Sequence, residues 1–319
     1  MIPDDDPPIR LLLHRAGRRP PPPEAITAAV YQRTRTAWAA QVRRRQVTHR
    51  GYAIAASLLV ALLVGRFAWN FYPHQVLARA PVGQDLLIAH TYWHPFASRS
   101  GGAVYAGDLV QTDAAGTSLV RADGSDLRMG RDTSLLFSTA AELRLQRGRL
   151  YVNTSGAGRM QKLVIATDFG RVEHLGTQYL VDRERDALLV AVRDGRVVVH
   201  YGRDQALELL GGEAAHLDSQ GTVRRWTLAA FDGIWDWADA LAAPLPIDGL
   251  SLYSILDSIA RRAGLELRYD TPAAEAASRK LLLHGAPLDM QPRQALEAVL
   301  ATTSLAGKAD GREIIVDAR

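Results

Sequence analysis

From Ala103 to Trp226 the chain alternates apolar and polar residues in short runs separated by turn-forming pairs. Ser118-Leu119-Val120-Arg121-Ala122 leads to Asp123-Gly124, and Leu127-Arg128-Met129 follows. Leu143-Arg144-Leu145 leads to Arg147-Gly148 and then Leu150-Tyr151-Val152. Val190-Ala191-Val192 leads to Asp194-Gly195 and then Val197-Val198-Val199. A period of two places successive side chains on opposite faces of a strand. Asp-Gly between β-branched runs is the strongest short-range hairpin signal, because the tight turn needs the positive φ that glycine supplies. The pattern predicts an all-β domain over 81–230 with a hairpin at each of these pairs. LQRGRLYV at 145–152 also echoes VRDGRVVV at 192–199, which suggests similar, stacked β units.

Beyond about Ile247 the period lengthens. Ser251 is the expected N-cap of LYSILDSIARRAG, with Leu252, Ile255, Leu256, Ile259 and Ala263 on one face and Gly264 as the stop. Leu265 to Tyr269 alternates as a strand. A second round follows, with a strand at Leu281 to Leu283, a helix near Pro292 to Thr302 carrying Ala295, Leu296, Val299 and Leu300, and a strand at Glu313 to Val316. This predicts a small α/β domain of two βαβ-like units over 245–319.

Ahead of the alternating region stands GYAIAASLLVALLVGRFAWNFY at 51–72, uncharged from Tyr52 to Val64. Its length matches the roughly twenty residues that cross a hydrocarbon core of about 30 Å. Arg66 and Asn70 fall near the far end, where a long side chain can reach the headgroups, beside Trp69, Phe71 and Tyr72 in an interfacial belt. Arg43, Arg44, Arg45, His49 and Arg50 precede the run, which keeps that flank cytoplasmic and exports the rest. A cleaved signal peptide fits poorly, since about fifty residues precede the apolar core. A buried core helix would ask for neither the arginines nor the aromatic exit. The expectation is one transmembrane helix at 51–72, in a bacterial inner-membrane protein with a cytoplasmic N-terminus and a periplasmic C-terminal region.

The first fifty residues form a short arm. Asp4 to Asp6 before Pro7-Pro8 read as a helix start, Gly17 as a stop, and Pro20 to Pro23 as a rigid spacer. From Glu24 a second helix is expected, with Ile26, Val30, Trp38 and Val42 along one ridge and arginines elsewhere. Fifty residues cannot build a core of their own. The arm is either a juxtamembrane topogenic tail or a helical peptide that captures a cytoplasmic protein.

Composition changes this picture little. The net charge of +4 over 319 residues owes much to arginines in the arm, as the topology rule asks, and no nucleic-acid-binding module accompanies it. The absence of cysteine excludes a disulfide framework, a thiolate zinc site and a cysteine nucleophile. His90 and His94 could share a helix face, but no third metal ligand has sensible spacing. Nothing resembles a nucleophile elbow or a phosphate loop. The residues point to no catalytic, cofactor or metal site, and to no enzyme. Trp226, Trp235 and Trp237 are expected to pack in the joint between the β domain and the C-terminal module.

The string Phe169-Gly170-Arg171-Val172-Glu173-His174-Leu175-Gly176-Thr177-Gln178-Tyr179-Leu180-Val181, followed by Val190 to Val199, resembles the hallmark of FecR-type proteins. There a Leu-Gly-Thr-x-aromatic-x-Val strand precedes a Val-x-x-Gly-x-Val-x-Val strand, so Gly170, Leu175, Gly176, Thr177, Tyr179, Val181, Gly195, Val197 and Val199 carry the likeness. Glycine at Gly176 is expected to let one strand kink or approach another backbone. The C-terminal module resembles the STN domain through Leu252, Ile255, Leu256, Ile259, Ala260, Gly264, Leu265, Ala295, Leu296 and Leu300. Together the resemblances imply a multi-domain membrane protein: a short helical cytoplasmic arm, one transmembrane helix, an all-β FecR-like domain and a small α/β module of βαβ repeats.

The FecR resemblance implies a regulator of cell-surface signalling. Its periplasmic part would contact the signalling domain of a TonB-dependent outer-membrane transporter, in iron or siderophore uptake. An intramembrane or site-specific protease would then act, and the arm would control an extracytoplasmic-function sigma factor through Ile26, Val30, Trp38 and Val42. The chain would touch no nucleic acid directly. Two other readings stay open: a tethered envelope- or glycan-binding module, and a component of a secretin-like assembly.

Overall fold

The computed structural model describes residues 23–24, 26–36, 38, 57–64, 75–81, 86–90, 98–154 and 162–318. The chain divides into two units, Met1–Pro73 and His74–Arg319. In the first, residues 26–36 and 57–64 are helical. The expected membrane protein with one transmembrane helix is not what the structure gives. Among the described residues no helix is long and apolar enough to cross a membrane. The eight described residues of 51–72 would rise only about 12 Å, against a hydrocarbon core of about 30 Å. The rest of that stretch, Arg66 included, lies outside the described residues, as do Arg43, Arg44 and Arg45. The described chain is instead predominantly β.

The second unit opens with β1 (Val76–Arg79), β2 (Leu86–His90), β3 (Ser98–Gly101), β4 (Ala103–Tyr105) and β5 (Asp108–Gln111). There follow β6 (Thr117–Arg121), β7 (Asp126–Met129), β8 (Ser134–Phe137), β9 (Glu142–Asn153) and β10 (Val164–Ala166). Then come β11 (Gly170–Arg183), β12 (Ala187–Tyr201), β13 (Gln205–Leu210), β14 (Glu213–Asp218) and β15 (Val223–Thr227). These fifteen strands form one sheet folded into two leaves. One leaf runs β3-β2-β5-β8-β9-β10-β11-β12-β13, the other β4-β1-β6-β7-β9-β11-β12-β14-β15. Strands β9, β11 and β12 are long enough to serve in both.

That sharing corrects the hairpins expected at Arg147-Gly148 and Asp194-Gly195. Asp123-Gly124 does turn the chain, between β6 and β7. At the other two pairs the strand continues: β9 pairs β8 up to Arg147 and β7 from Leu150, while β12 pairs β14 through Val192 and β13 from Arg196. The extra residue is absorbed as a bulge, with Gly148 at φ +83° and Gly195 at +84°. A bulge shifts side-chain parity by one. Leu143 and Leu145 face the core before the bend and Leu150 and Val152 after it; Val190 and Val192 give way likewise to Val197 and Val199. The echoed motifs are thus two equivalent bends that keep apolar residues inward in both leaves. The main core lies between the leaves, with Ile88, Val110, Phe137, Leu143 and Leu145 from one and Leu119, Leu127, Leu150 and Tyr179 from the other.

After β15 the chain forms a one-turn helix α1 (Asp236–Asp239) and then the C-terminal module. The module holds α2 (Leu252–Ala263), α3 (Pro272–Lys280) and α4 (Pro292–Ala301) over a three-stranded sheet β17-β20-β19 (Glu266–Tyr269, Glu313–Ala318, Leu305–Asp310). A separate ribbon pairs β16 (Leu250–Ser251) with β18 (Leu282–Leu283). These are not two βαβ repeats: β17 and β20 are parallel, whereas the β19–β20 and β16–β18 pairs are antiparallel. Helix α2 matches its expected signals, because they are local. Ser251 Oγ accepts from the Ser254 N–H at 3.2 Å, and Gly264 closes the helix at φ +68°. Its inward face packs Leu252, Ile255, Leu256 and Ile259 with Leu296, Leu300, Ile314 and Val316.

Candidate functional site

The bend in β11 is built by Gly176 and Thr177. Register between β11 and β12 slips between Leu175 and Gln178, so this pair bulges opposite Gly195. Gly176 sits at φ +58°, and a Cβ on Gly195 would lie 2.6 Å from the Gly176 carbonyl oxygen. Thr177 is fully buried; its Oγ1 donates to the Arg196 carbonyl at 3.0 Å and its N–H donates to Thr154 Oγ1 at 2.8 Å. Gly170 stands where a Cβ would meet the His200 carbonyl at 2.3 Å. Tyr179, Val181, Val197 and Val199 point into the core. Leu175 pairs with Arg196 through its backbone. Gly176, Thr177 and Gly195 therefore build one feature, a closely packed double bend.

The outer face of the second leaf beside this bend is covered. Tyr151, Leu180, Ala191 and Ala214 pack against Trp235 and Ala238. Among these groups stands Arg193, which makes a two-pronged ion pair with Asp239 of α1 at 2.7 and 2.8 Å. The two side chains are 3% and 7% exposed. Burial works against the Arg193 charge, but the hydrogen bonds and charge of Asp239 outweigh it and hold the guanidinium protonated. Its guanidinium carbon lies 5.2 Å from the Trp235 ring centroid, a cation–π contact. Arg128 binds the same turn, donating to the Ala238 carbonyl at 2.9 Å and pairing with Asp126 at 2.6 Å.

The C-terminal module locks onto the same place. Arg312, in the β19–β20 turn, donates to the Gly264 carbonyl at 2.8 Å and to the Arg193 carbonyl at 3.0 Å. Gln178 Nε2 donates to the Arg261 carbonyl of α2 at 2.7 Å, and its Oε1 accepts from the Tyr151 hydroxyl at 2.9 Å. A Cβ on Gly264 would lie 2.7 Å from the Arg193 oxygen, and one on Gly211 would meet the Arg312 guanidinium at 2.7 Å. Trp237 packs against the β body, beneath Arg149 at 5.5 Å, and Trp235 lies at this joint as expected, beside Gly264 and Arg312. Trp226 does not: it sits on edge strand β15 and is 40% exposed.

Inside the core, the bend holds a polar group. His174 and Tyr179 flank the bulge on β11, their rings stacked with centroids 5.4 Å apart. Among the described residues neither ring nitrogen of His174, nor the Tyr179 hydroxyl, has a hydrogen-bond partner. Arg121 lies close by, paired with Asp123 at 3.0 Å and donating to the Ala140 carbonyl at 2.5 Å. Burial, and then the Arg121 charge, push the His174 pKa down to about 4.

In the N-terminal unit Ile26, Val30 and Trp38 are 56%, 59% and 68% exposed. Val42 lies outside the described residues, as does His94. Among the described residues no cluster of three or more His, Cys, Asp or Glu could hold a metal. Arg193, Asp239, Arg128, Gln178 and Arg312 carry no motif in the sequence. Their one signal is that alternation in β12 places the charge of Arg193 on the same face as Ala191.

A family model described as FecR protein matches residues 108–198, which contain both bends. No curated protein matches. Two crystal structures of a candidate anti-sigma factor from Parabacteroides distasonis align with 66% of this chain and 98% or 99% of theirs. Both are 16% identical, with TM-scores of 0.34 and 0.35.

Proposed function

The chain carries a FecR-family region at residues 108–198, and from that premise we propose that it regulates a sigma factor. The family match across the Gly176–Thr177 and Gly195 bends is the observation that carries this reading. The surface that takes the sigma factor is the arm. There the helical residues 26–36 and Trp38 hold Ile26, Val30 and Trp38 out to solvent, the arrangement of an amphipathic segment that docks into an apolar groove. Solvent exposure of a tryptophan and two β-branched residues leaves apolar area for a partner to bury, at about 25 cal/mol per Å².

The finer assignment follows the family. The partner is an extracytoplasmic-function sigma factor, and the protein works at the bacterial inner membrane, its arm cytoplasmic and its β body and C-terminal module periplasmic. The signal comes from the signalling domain of a TonB-dependent transporter, in iron or siderophore uptake, and a protease completes the relay. The C-terminal module suits the receiving role because it is fixed beside the motif bend through Arg312 and Gln178. Deleting the gene in its host and profiling transcripts tests the proposal. One sigma factor's regulon should change, and restoring the full chain with Trp38→Ala should fail to reverse the change. A transcript profile indifferent to the deletion would refute it.

A further inference from the structure

His174 is a titratable group held at the bend with no hydrogen-bond partner among the described residues. It stacks on Tyr179 across the β11 bulge, lies beside Arg121, and among the described residues offers both ring nitrogens to nothing. A neutral imidazole with one N–H and one lone pair unmade is costly but tolerable there. A protonated one is not. Its new charge would stand beside the Arg121 cation, and the neighbouring carboxylate, Asp123, is already engaged by Arg121. Among the described residues the charged groups facing His174 are Arg121 and Asp123; Tyr179, stacked against it, stays neutral because burial raises its pKa.

We propose that His174 is an acid-operated release for the C-terminal module. The coupling is short. His174 and Gln178 lie four residues apart on one strand, on either side of Gly176-Thr177, and Gln178 is the group that holds the Arg261 carbonyl of α2. A buried imidazolium gains water only if the leaves part at the bulge. Parting them displaces Gln178 and Tyr179 together, so α2 loses the hydrogen bond that Gln178 makes to it from the β body. The Arg312 anchor remains, and the module loosens rather than unfolds.

The absence of cysteine makes this measurable. Ala263, at the C-terminal end of α2, is 2% exposed. In full-length Ala263→Cys protein, labelling by 2,2′-dipyridyl disulfide, which reacts in acid, reports access to that position. Rates are normalised to free cysteine at each pH. The normalised rate should rise at least tenfold between pH 7 and pH 4.5. The rise should vanish when His174→Phe, which keeps the stacked ring and cannot be protonated, is added; His174→Gln serves if the phenylalanine variant does not fold. An equal rise with and without His174, or no rise at all, would overturn the proposal.

Discussion

Gly195 lies directly beneath the carbonyl of Gly176, so close that a Cβ there would come within 2.6 Å of the oxygen. Two strands that bend together must approach at the bend, and β12 leaves no room there for a side chain at Gly195. Gly195→Ala therefore combines a left-handed backbone at φ +84° with a backbone clash. Gly221→Ala supplies the control, because φ is +83° there but nothing lies within 4 Å. The expected losses are about 1 kcal/mol at Gly221 and roughly 3 kcal/mol or more at Gly195. Urea unfolding of the two variants gives the comparison, and similar losses would show that the contact is not what demands glycine.

Asp239 satisfies a guanidinium that water cannot reach. Asp239→Ala leaves Arg193 buried and unpaired, which costs about 3–5 kcal/mol. Changing both partners together, Arg193→Met with Asp239→Leu, removes the charge with its counter-charge and should restore most of that loss. Midpoints of urea unfolding for the two single variants and the double variant test this, and additive losses would argue against the pair.

His174 also sets a slope of stability with pH. Above pH 6.5 the imidazole is neutral in the folded and unfolded chain and contributes no slope. As pH falls from 6.5 towards 4, the unfolded chain binds a proton that the folded chain refuses, so stability falls. The loss approaches about 3 kcal/mol at the lower end, since each pH unit is worth about 1.36 kcal/mol. His174→Phe should be flatter over this window than the parent. Thermal melts at pH 7, 6, 5 and 4.5 check the difference, and parallel curves would remove His174 from the acid response.

What could be read from the chain depended on how local each signal was. The Ser251 cap, the apolar face of α2 and the Gly264 stop lie within fourteen residues, and all were legible. Arg147-Gly148 and Asp194-Gly195 were misread for a physical reason. A two-residue turn and a bulge both ask glycine for positive φ, and only the partner strands decide between them. The parity change from Val192 to Val197 was the available clue. The Arg193–Asp239 pair was invisible, because its members are 46 residues apart and neither belongs to a motif. At 51–72 apolar length predicted a membrane-crossing helix, whereas the helical residues described there, 57–64, are too few to span one.

The most direct measurement is the affinity of the full chain for the sigma factor that co-purifies with it from its native host. The parent should bind that factor, and the triple change Ile26→Ala, Val30→Ala and Trp38→Ala should weaken binding at least tenfold while leaving the β body folded. Failure of any sigma factor to co-purify, or equal affinity of the parent and the triple variant, would contradict the role assigned to this protein.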